Sequence, residues 1–346
     1  MQQEATTLDR TKQPTVYKLK IGCVAAVTVL LLLMLEPAAV LSSMQRSLQL
    51  CAGTVIPSLF PFLVASELLV SSGAGERLAS KLSAPICAVF GVSRCGAVAY
   101  VMGLLCGFPI GARTAASYAK RGKISRDELE QLLCFCNVPS AAFVINAVGM
   151  SLYGDIAFGR FLWGISLLAA ALVGVGYRFL YRKSAKREQA PQELDANDGA
   201  GGTLGSALVN AAGGMLSVVA TVLFFGAVLG ALNAVLLQLW RMTSISIDAR
   251  VTTLISGLLS CFFELTGGVA AAASLLQAED VLLRALSPLI CAAAVGWGGL
   301  SVHYQLFSAC DGYFPRLRMG RFFMARLMQA LLCVVGVMLY VVLRSK

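Results

Sequence analysis

Three ionisable side chains stand inside otherwise apolar sequence. Glu264 lies between Phe262-Phe263 and Leu265, His303 ends the string Gly296-Trp-Gly-Gly-Leu-Ser-Val-His303, and Arg113 follows Gly107-Phe-Pro-Ile-Gly-Ala112. A charge in hydrocarbon is expensive, so such a residue faces a cavity, pairs, or handles an ion. Glu264 suits two roles: carrying a coupling proton or sodium ion, or holding its segment through a structural pair, with Arg113 as one partner. Arg113 suits an anionic cargo, or snorkels to the interface. His303, near Ser301 and Gln305, reads as a pathway residue or as a satisfied core histidine.

Helix breakers surround these residues. Gly107, Pro109 and Gly111 lead into Arg113 and Thr114, and Asn137 and Pro139 lead into Ser140. Thr266, Gly267 and Gly268 follow Glu264, and Gly298 and Gly299 lead into Ser301. A continuous helix consumes its own N–H and C=O groups. A broken one frees them and exposes a half-helix N-terminus that attracts anions. Irregular backbone at membrane depth survives only when buried in protein or lining a cavity. The candidate substrate-binding set is therefore Gly107, Pro109, Gly111, Arg113, Thr114, Asn137, Ser140, Glu264, Thr266, Gly267, Gly268, Gly298, Gly299, Ser301 and His303. It predicts one polar cavity near the midplane. There the amides of Gly111, Gly267 and Gly268, with one base, would hold a carboxylate.

Enzyme signatures are absent. Gly122-Lys123 is a basic loop without the rest of a P-loop, and no H-E-x-x-H occurs. The 11 cysteines contain no C-x-x-C, and one histidine makes a cysteine–histidine zinc site improbable. The cysteines read as small apolar filler. We expect no enzyme, no cofactor and no metal site.

The elements that must position these residues are membrane helices. The 346 residues are 58% hydrophobic and 13% charged, with a mean hydropathy of +0.76. Soluble domains run about 45–50% apolar and about 25% charged. A cytosolic enzyme and a disordered chain are both excluded, and the long apolar runs favour helices over a barrel. The net charge of +10 reads as loops facing the cytoplasm and anionic lipid rather than nucleic acid. We expect a multi-pass bacterial cell-membrane protein that is all-α, with about eight hydrophobic segments.

The organisation reads as a cytoplasmic tail (1–20), a membrane anchor (21–41), a first membrane repeat (42–183), a polar linker (184–204) and a second repeat (205–346). A positively charged start and an apolar run also fit a cleaved signal peptide, but the tail is long and later segments are equally apolar. The halves align in three places, in order and at nearly one offset. Gly107-Phe-Pro-Ile-Gly111 falls on Glu264-Leu-Thr-Gly-Gly268, Asn137-Val-Pro-Ser140 on Gly298-Gly-Leu-Ser301, and Gly159-Arg-Phe161 on Gly320-Arg-Phe322. The loop after the first segment carries Lys120, Arg121, Lys123 and Arg126. Its counterpart carries Glu279 and Asp280 and no base. The positive-inside rule puts these loops on opposite faces, so the repeats are inverted, the usual setting of a secondary-transporter site.

Pro57-Ser-Leu-Phe-Pro-Phe62, Gly103-Leu-Leu-Cys-Gly-Phe-Pro-Ile-Gly-Ala112 and Gly298-Gly-Leu-Ser-Val-His303 resemble the YlbJ family of sporulation integral membrane proteins. That family is grouped with nucleoside-recognition gate-domain proteins, and is related to concentrative nucleoside transporters and the membrane part of ferrous-iron transporters. The resemblance covers about residues 42–343. It implies re-entrant hairpins and unwound helices in an inverted-repeat fold. It also implies a role in endospore formation, moving dipicolinate from mother cell toward forespore across the mother-cell-derived membrane. The pattern departs at Ile110, where a small polar residue is usual, and at Asn137-Val-Pro-Ser-Ala141, which holds fewer serines and asparagines. The expected partners are a small anionic or polar substrate and membrane lipids, with a coupling ion and a homo-oligomer left open. A nucleoside-type transporter, a non-transporting sporulation scaffold and an intramembrane enzyme are the alternatives.

Overall fold

In a computed structural model the chain is described over residues 13–185, 203–242, 248–310 and 317–344. Residues 1–12 of the expected tail and 186–202 of the expected linker fall outside this range. Every described element is helical. Among the described residues five helices are long and apolar enough to cross a membrane, or six if one bent pair is a single span, with shorter apolar helices beside them, so the expected count of about eight is not confirmed.

The anchor expected over 21–41 is interrupted. Helix α1 (Gln13–Leu35) stops before Glu36, and Pro37 starts α2 (Pro37–Leu50). Proline is favoured at a first helical position and ends the helix before it. The expected amphipathic piece near 42–49 is not separate. It runs through a π-turn (Cys51–Val55) into α3 (Ile56–Ser71), making one 35-residue span. The π-turn lies just before Pro57, where a missing N–H and a ring clash would otherwise break the helix. Ser58 Oγ donates to Thr54 O at 2.6 Å nearby.

Helices α4 (Ala74–Lys81) and α5 (Ser83–Phe90) lead to α6 (Arg94–Cys106), which turns back as α7 (Ile110–Lys120). Ser93 N, before α6, donates to Glu128 Oε1 at 2.7 Å, on α8 (Arg126–Leu133), which follows α7. Both ends of the α6–α7 hairpin thus lie on one face. Helix α8 stops at Leu133. Irregular backbone and a π-helix (Ala142–Leu152) complete that crossing, and α9 (Ile156–Ala185) returns.

The second half repeats the order. Helix α10 (Leu204–Met242) is followed by the hairpin α11 (Ala249–Phe263) and α12 (Leu265–Ser274). A 3₁₀ turn (Leu275–Gln277) follows, then α13 (Val281–Trp297), α14 (Gly299–Ala309) and α15 (Met319–Arg344). Arg250 Nε meets Asp280 Oδ2 at 2.7 Å, so both ends of this hairpin also share a face.

Two contacts fix the relation of the halves. Tyr177 Oη, late in α9, donates to Arg321 O, early in α15, at 2.7 Å. Arg344 Nη1, at the end of α15, meets Asp155 Oδ2, before α9, at 2.6 Å. Helices α9 and α15, the last of each half, are therefore antiparallel. The face with Glu128, Tyr181 and Arg318 is the one reached by the basic 120–126 loop. Tyr153 Oη sits 3.1 Å from Ser287 O, so α13 and the acidic 277–281 loop begin on the opposite face. Helices α2 and α10 are antiparallel too. Ser43 and Ser47 face Gly230 and Gly226, a small-residue spacing that lets backbones approach closely.

Candidate functional site

In each half the hairpin tip packs on the helix break that follows it. In the first half α6 ends at Cys106, and Gly107 turns the chain with φ +75°. A β-carbon there would lie 2.7 Å from Ser140 Cβ and 2.8 Å from Ser140 N, so only glycine fits. Pro109 precedes α7 without a side-chain cap. Gly111 is one residue inside α7, not at a break. It serves the close approach of α7 to Gly103 and to the Cys136 carbonyl.

In the second half the tip is Glu264, whose extended backbone (φ −142°, ψ 125°) ends α11 and starts α12. Its carboxylate accepts from Thr266 N at 2.9 Å and from Gly267 N. An acid on the first-turn amides satisfies donors that the helix leaves open and complements the dipole. Gly299 (φ +74°) brings α14 against this turn: a β-carbon there would sit 2.8 Å from Leu265 N. The Ser301 hydroxyl neighbours the Glu264 carboxylate without closing a hydrogen bond to it. The hairpins also cross between halves, α7 packing on α14 and α12 on the π-helix.

The structure therefore brings Gly107 to Ser140, and Glu264, with Thr266 and Gly267 on its carboxylate, to Gly299 and Ser301. It bears on three expectations of the site. The Gly267 amide is taken by the Glu264 carboxylate and the Gly268 amide by the Glu264 carbonyl at 2.9 Å, so neither is free for an anion. Arg113 is exposed on α7 and makes no pair with Glu264. Thr114 Oγ1 turns back to Ile110 O at 2.9 Å, inside its own helix. A cavity of about 10 Å³, roughly one water, lies at the basic face, lined by Glu130, Cys134, Tyr181, Phe307, Arg318, Arg321 and Phe322 among others.

Buried polar atoms without partners mark the interior. Asn137 is fully buried. Its Nδ2 donates to Leu133 O at 3.3 Å while Oδ1 has no partner. Ser301 Oγ is likewise unpartnered. His303 Nε2 lies 2.8 Å from Trp297 O, which can only accept, so Nε2 carries the proton and Nδ1 is an open acceptor.

Sequence reading missed Arg326. It lies on α15 and is 2% exposed. Its Nη1 donates to Gln329 Oε1 at 2.9 Å, and Gln329 Nε2 donates to Cys134 O at 2.7 Å. Its Nε and Nη2 have no partner. The signal was a base and an amide three residues apart in the apolar run after Phe322, hence on one helix face.

No family model matches the chain, and no solved structure matches it. A sporulation integral membrane protein, YlbJ of Bacillus subtilis (strain 168), is 28% identical over 328 residues, covering 88% of this chain and 78% of that protein. The chain is YlbJ-like. It is an all-α, multi-pass membrane protein.

Proposed function

We propose that this YlbJ-like chain is a secondary carrier of two inverted repeats that moves a small anionic or polar metabolite, dipicolinate during endospore formation being the leading cargo. The observation that carries the reading is the pairing of a hairpin tip with a helix break in each half, beside buried acceptors that nothing completes. An unpaired buried polar atom costs about 1–3 kcal/mol. Asn137 Oδ1, Ser301 Oγ and His303 Nδ1 together are hard to account for in a scaffold. A carrier leaves such atoms for water and cargo: the Ser301 hydroxyl can donate to a carboxylate, whereas Asn137 Oδ1 and His303 Nδ1 accept only and would meet it through water. The antiparallel α9 and α15 fit alternating access by one half against the other.

The sporulation setting of the relative supports the cell type, and the family resemblance supports dipicolinate moving from mother cell toward forespore. The carrier reading includes a coupling proton or sodium ion and excludes bond-making chemistry by the chain itself. The test is uptake of radiolabelled dipicolinate by liposomes containing the purified protein. Uptake should be saturable and reduced in Asn137→Ala and Ser301→Ala. Uridine uptake in its place would assign the nucleoside-type alternative, and uptake of neither would favour the scaffold.

A further inference from the structure

We propose that Arg326 is the carboxylate-binding group of the cargo site, receiving the anion on its Nε–Nη2 edge. The inference rests on the carrier reading above. Removing a guanidinium from water costs several kcal/mol unless a counter-ion and hydrogen bonds compensate. Among the described residues no carboxylate pairs with Arg326. Its one hydrogen-bonded nitrogen, Nη1, is held by Gln329, which is itself tied to the Cys134 carbonyl in the irregular stretch after α8. The guanidinium is thus oriented by one corner. The two nitrogens left over, Nε and Nη2, form the side of the fork that meets a carboxylate through two parallel N–H···O bonds.

The surroundings fit a planar aromatic acid. The guanidinium carbon lies 5.5 Å from the centre of the Phe322 ring, and His303 packs on the same ring with centroids 5.0 Å apart. Phe322 also lines the small cavity at the basic face, together with Cys134, Arg318 and Arg321. Arg321 holds a further buried nitrogen, Nη1, without a partner. An anion entering from that face meets Arg318 and Arg321 first, and Phe322 separates them from Arg326. Bases lining a low-dielectric cleft concentrate anions.

The rival is that Arg326 only ties α15 to the irregular stretch. Binding to purified protein in lipid nanodiscs separates the two, read by Trp fluorescence. Wild type should bind dipicolinate and picolinate but not the neutral isostere picolinamide. Arg326→Lys keeps a charge and loses the fork, and should weaken dipicolinate about 10- to 100-fold. Gln329→Glu keeps the arginine and supplies a resident carboxylate, and should abolish binding while the protein stays folded. Dipicolinate binding unchanged in either folded variant would overturn the assignment and leave the carrier reading intact. Picolinamide competing as well as picolinate in wild type overturns it without any variant, should the variants fail to fold. Wild type that binds uridine and no carboxylate would defeat the carrier reading for anions itself, a failure visible before any variant is made.

Discussion

Glu264 supports the most demanding mutational test. Its two oxygens hold Thr266 N, at 2.9 Å, and Gly267 N, and no other side chain caps α12. Glu264→Gln preserves volume and one acceptor. It places an NH₂ against an amide that has no other partner. A buried amide left without its acceptor costs about 1–3 kcal/mol. The expected loss is up to about 3 kcal/mol, roughly 100-fold in the equilibrium between packed and opened hairpin. Glu264→Asp, a good capping residue one methylene shorter, should fall between. Denaturant unfolding in detergent reads the stability, and liposome uptake against pH and sodium reads the coupling. As a cap, Glu264→Gln lowers stability and leaves the ion dependence of the remaining uptake unchanged. An unfolding transition equal to wild type refutes the capping argument. Loss of ion dependence at full stability would make Glu264 the coupling site instead.

Three further outcomes follow. Gly107→Ala combines φ +75° with a β-carbon 2.7 Å from Ser140 Cβ. Left-handed backbone costs about 1–2 kcal/mol and overpacking about 1–3 kcal/mol, so folded yield should fall sharply, while Gly164→Ala, in open space on α9, should not change it. Asp155 is held below the usual carboxylate range, first by the Phe158 amide and then by Arg344. A depressed acid contributes stability above its unfolded value, near 4, that is lost as pH falls through its lower folded value. Asp155→Asn should therefore flatten the stability profile in that acidic window, and an unchanged profile would remove Asp155 from it. Cysteines placed at Lys123 and Glu279, in a chain with the exposed Cys23 replaced, should label from opposite sides of oriented vesicles. Labelling from the same side would defeat the inverted arrangement.

The breaks were legible because their residues have few other uses. Gly107 with Pro109, Glu264, and Gly298 with Gly299 each mark a helix end, and Asn137 with Pro139 lie in the irregular stretch after α8. Their occupancy was not legible. Sequence shows that α12 starts with free amides but not that Glu264 folds back onto two of them, because that depends on the extended backbone at one residue. Arg113 looked deep by counting from Gly107, yet α7 starts only at Ile110 and turns Arg113 outward. Arg326 was hidden for the opposite reason. It lies in a long apolar helix without a breaker, and its burial arises from α15 packing on the irregular stretch of the other half, with Gln329 bound to Cys134. The continuity of α2 with α3 was obscured by Pro57, which reads as a stop unless a π-turn precedes it.

At the basic face Glu130 ties the two halves together. This acid is 5% exposed, with Arg318 N donating to its Oε1 at 3.2 Å and Tyr181 Oη to its Oε2 at 3.2 Å. Arg126 and Arg318 side chains stand 3.4 and 3.8 Å away, both substantially exposed, so those two ion pairs contribute little on their own. What matters is position. Glu130 joins α8 and α9 of one half to the start of α15 in the other, and lines the same small cavity as Cys134 and Phe322. An incoming anion would compete with Glu130 for Arg318, so cargo itself would loosen the closure. Glu130→Ala removes the acceptor that three elements share, and opening should become easier by about tenfold for each 1.4 kcal/mol lost. Cys134, 1% exposed beneath it, reports that opening. In a chain keeping only Cys134, maleimide labelling from the basic face should accelerate in Glu130→Ala, and saturating dipicolinate should change the rate in wild type. If Cys134 stays equally protected in the folded variant, Glu130 does not hold this face shut, and the route to Arg326 has to begin elsewhere.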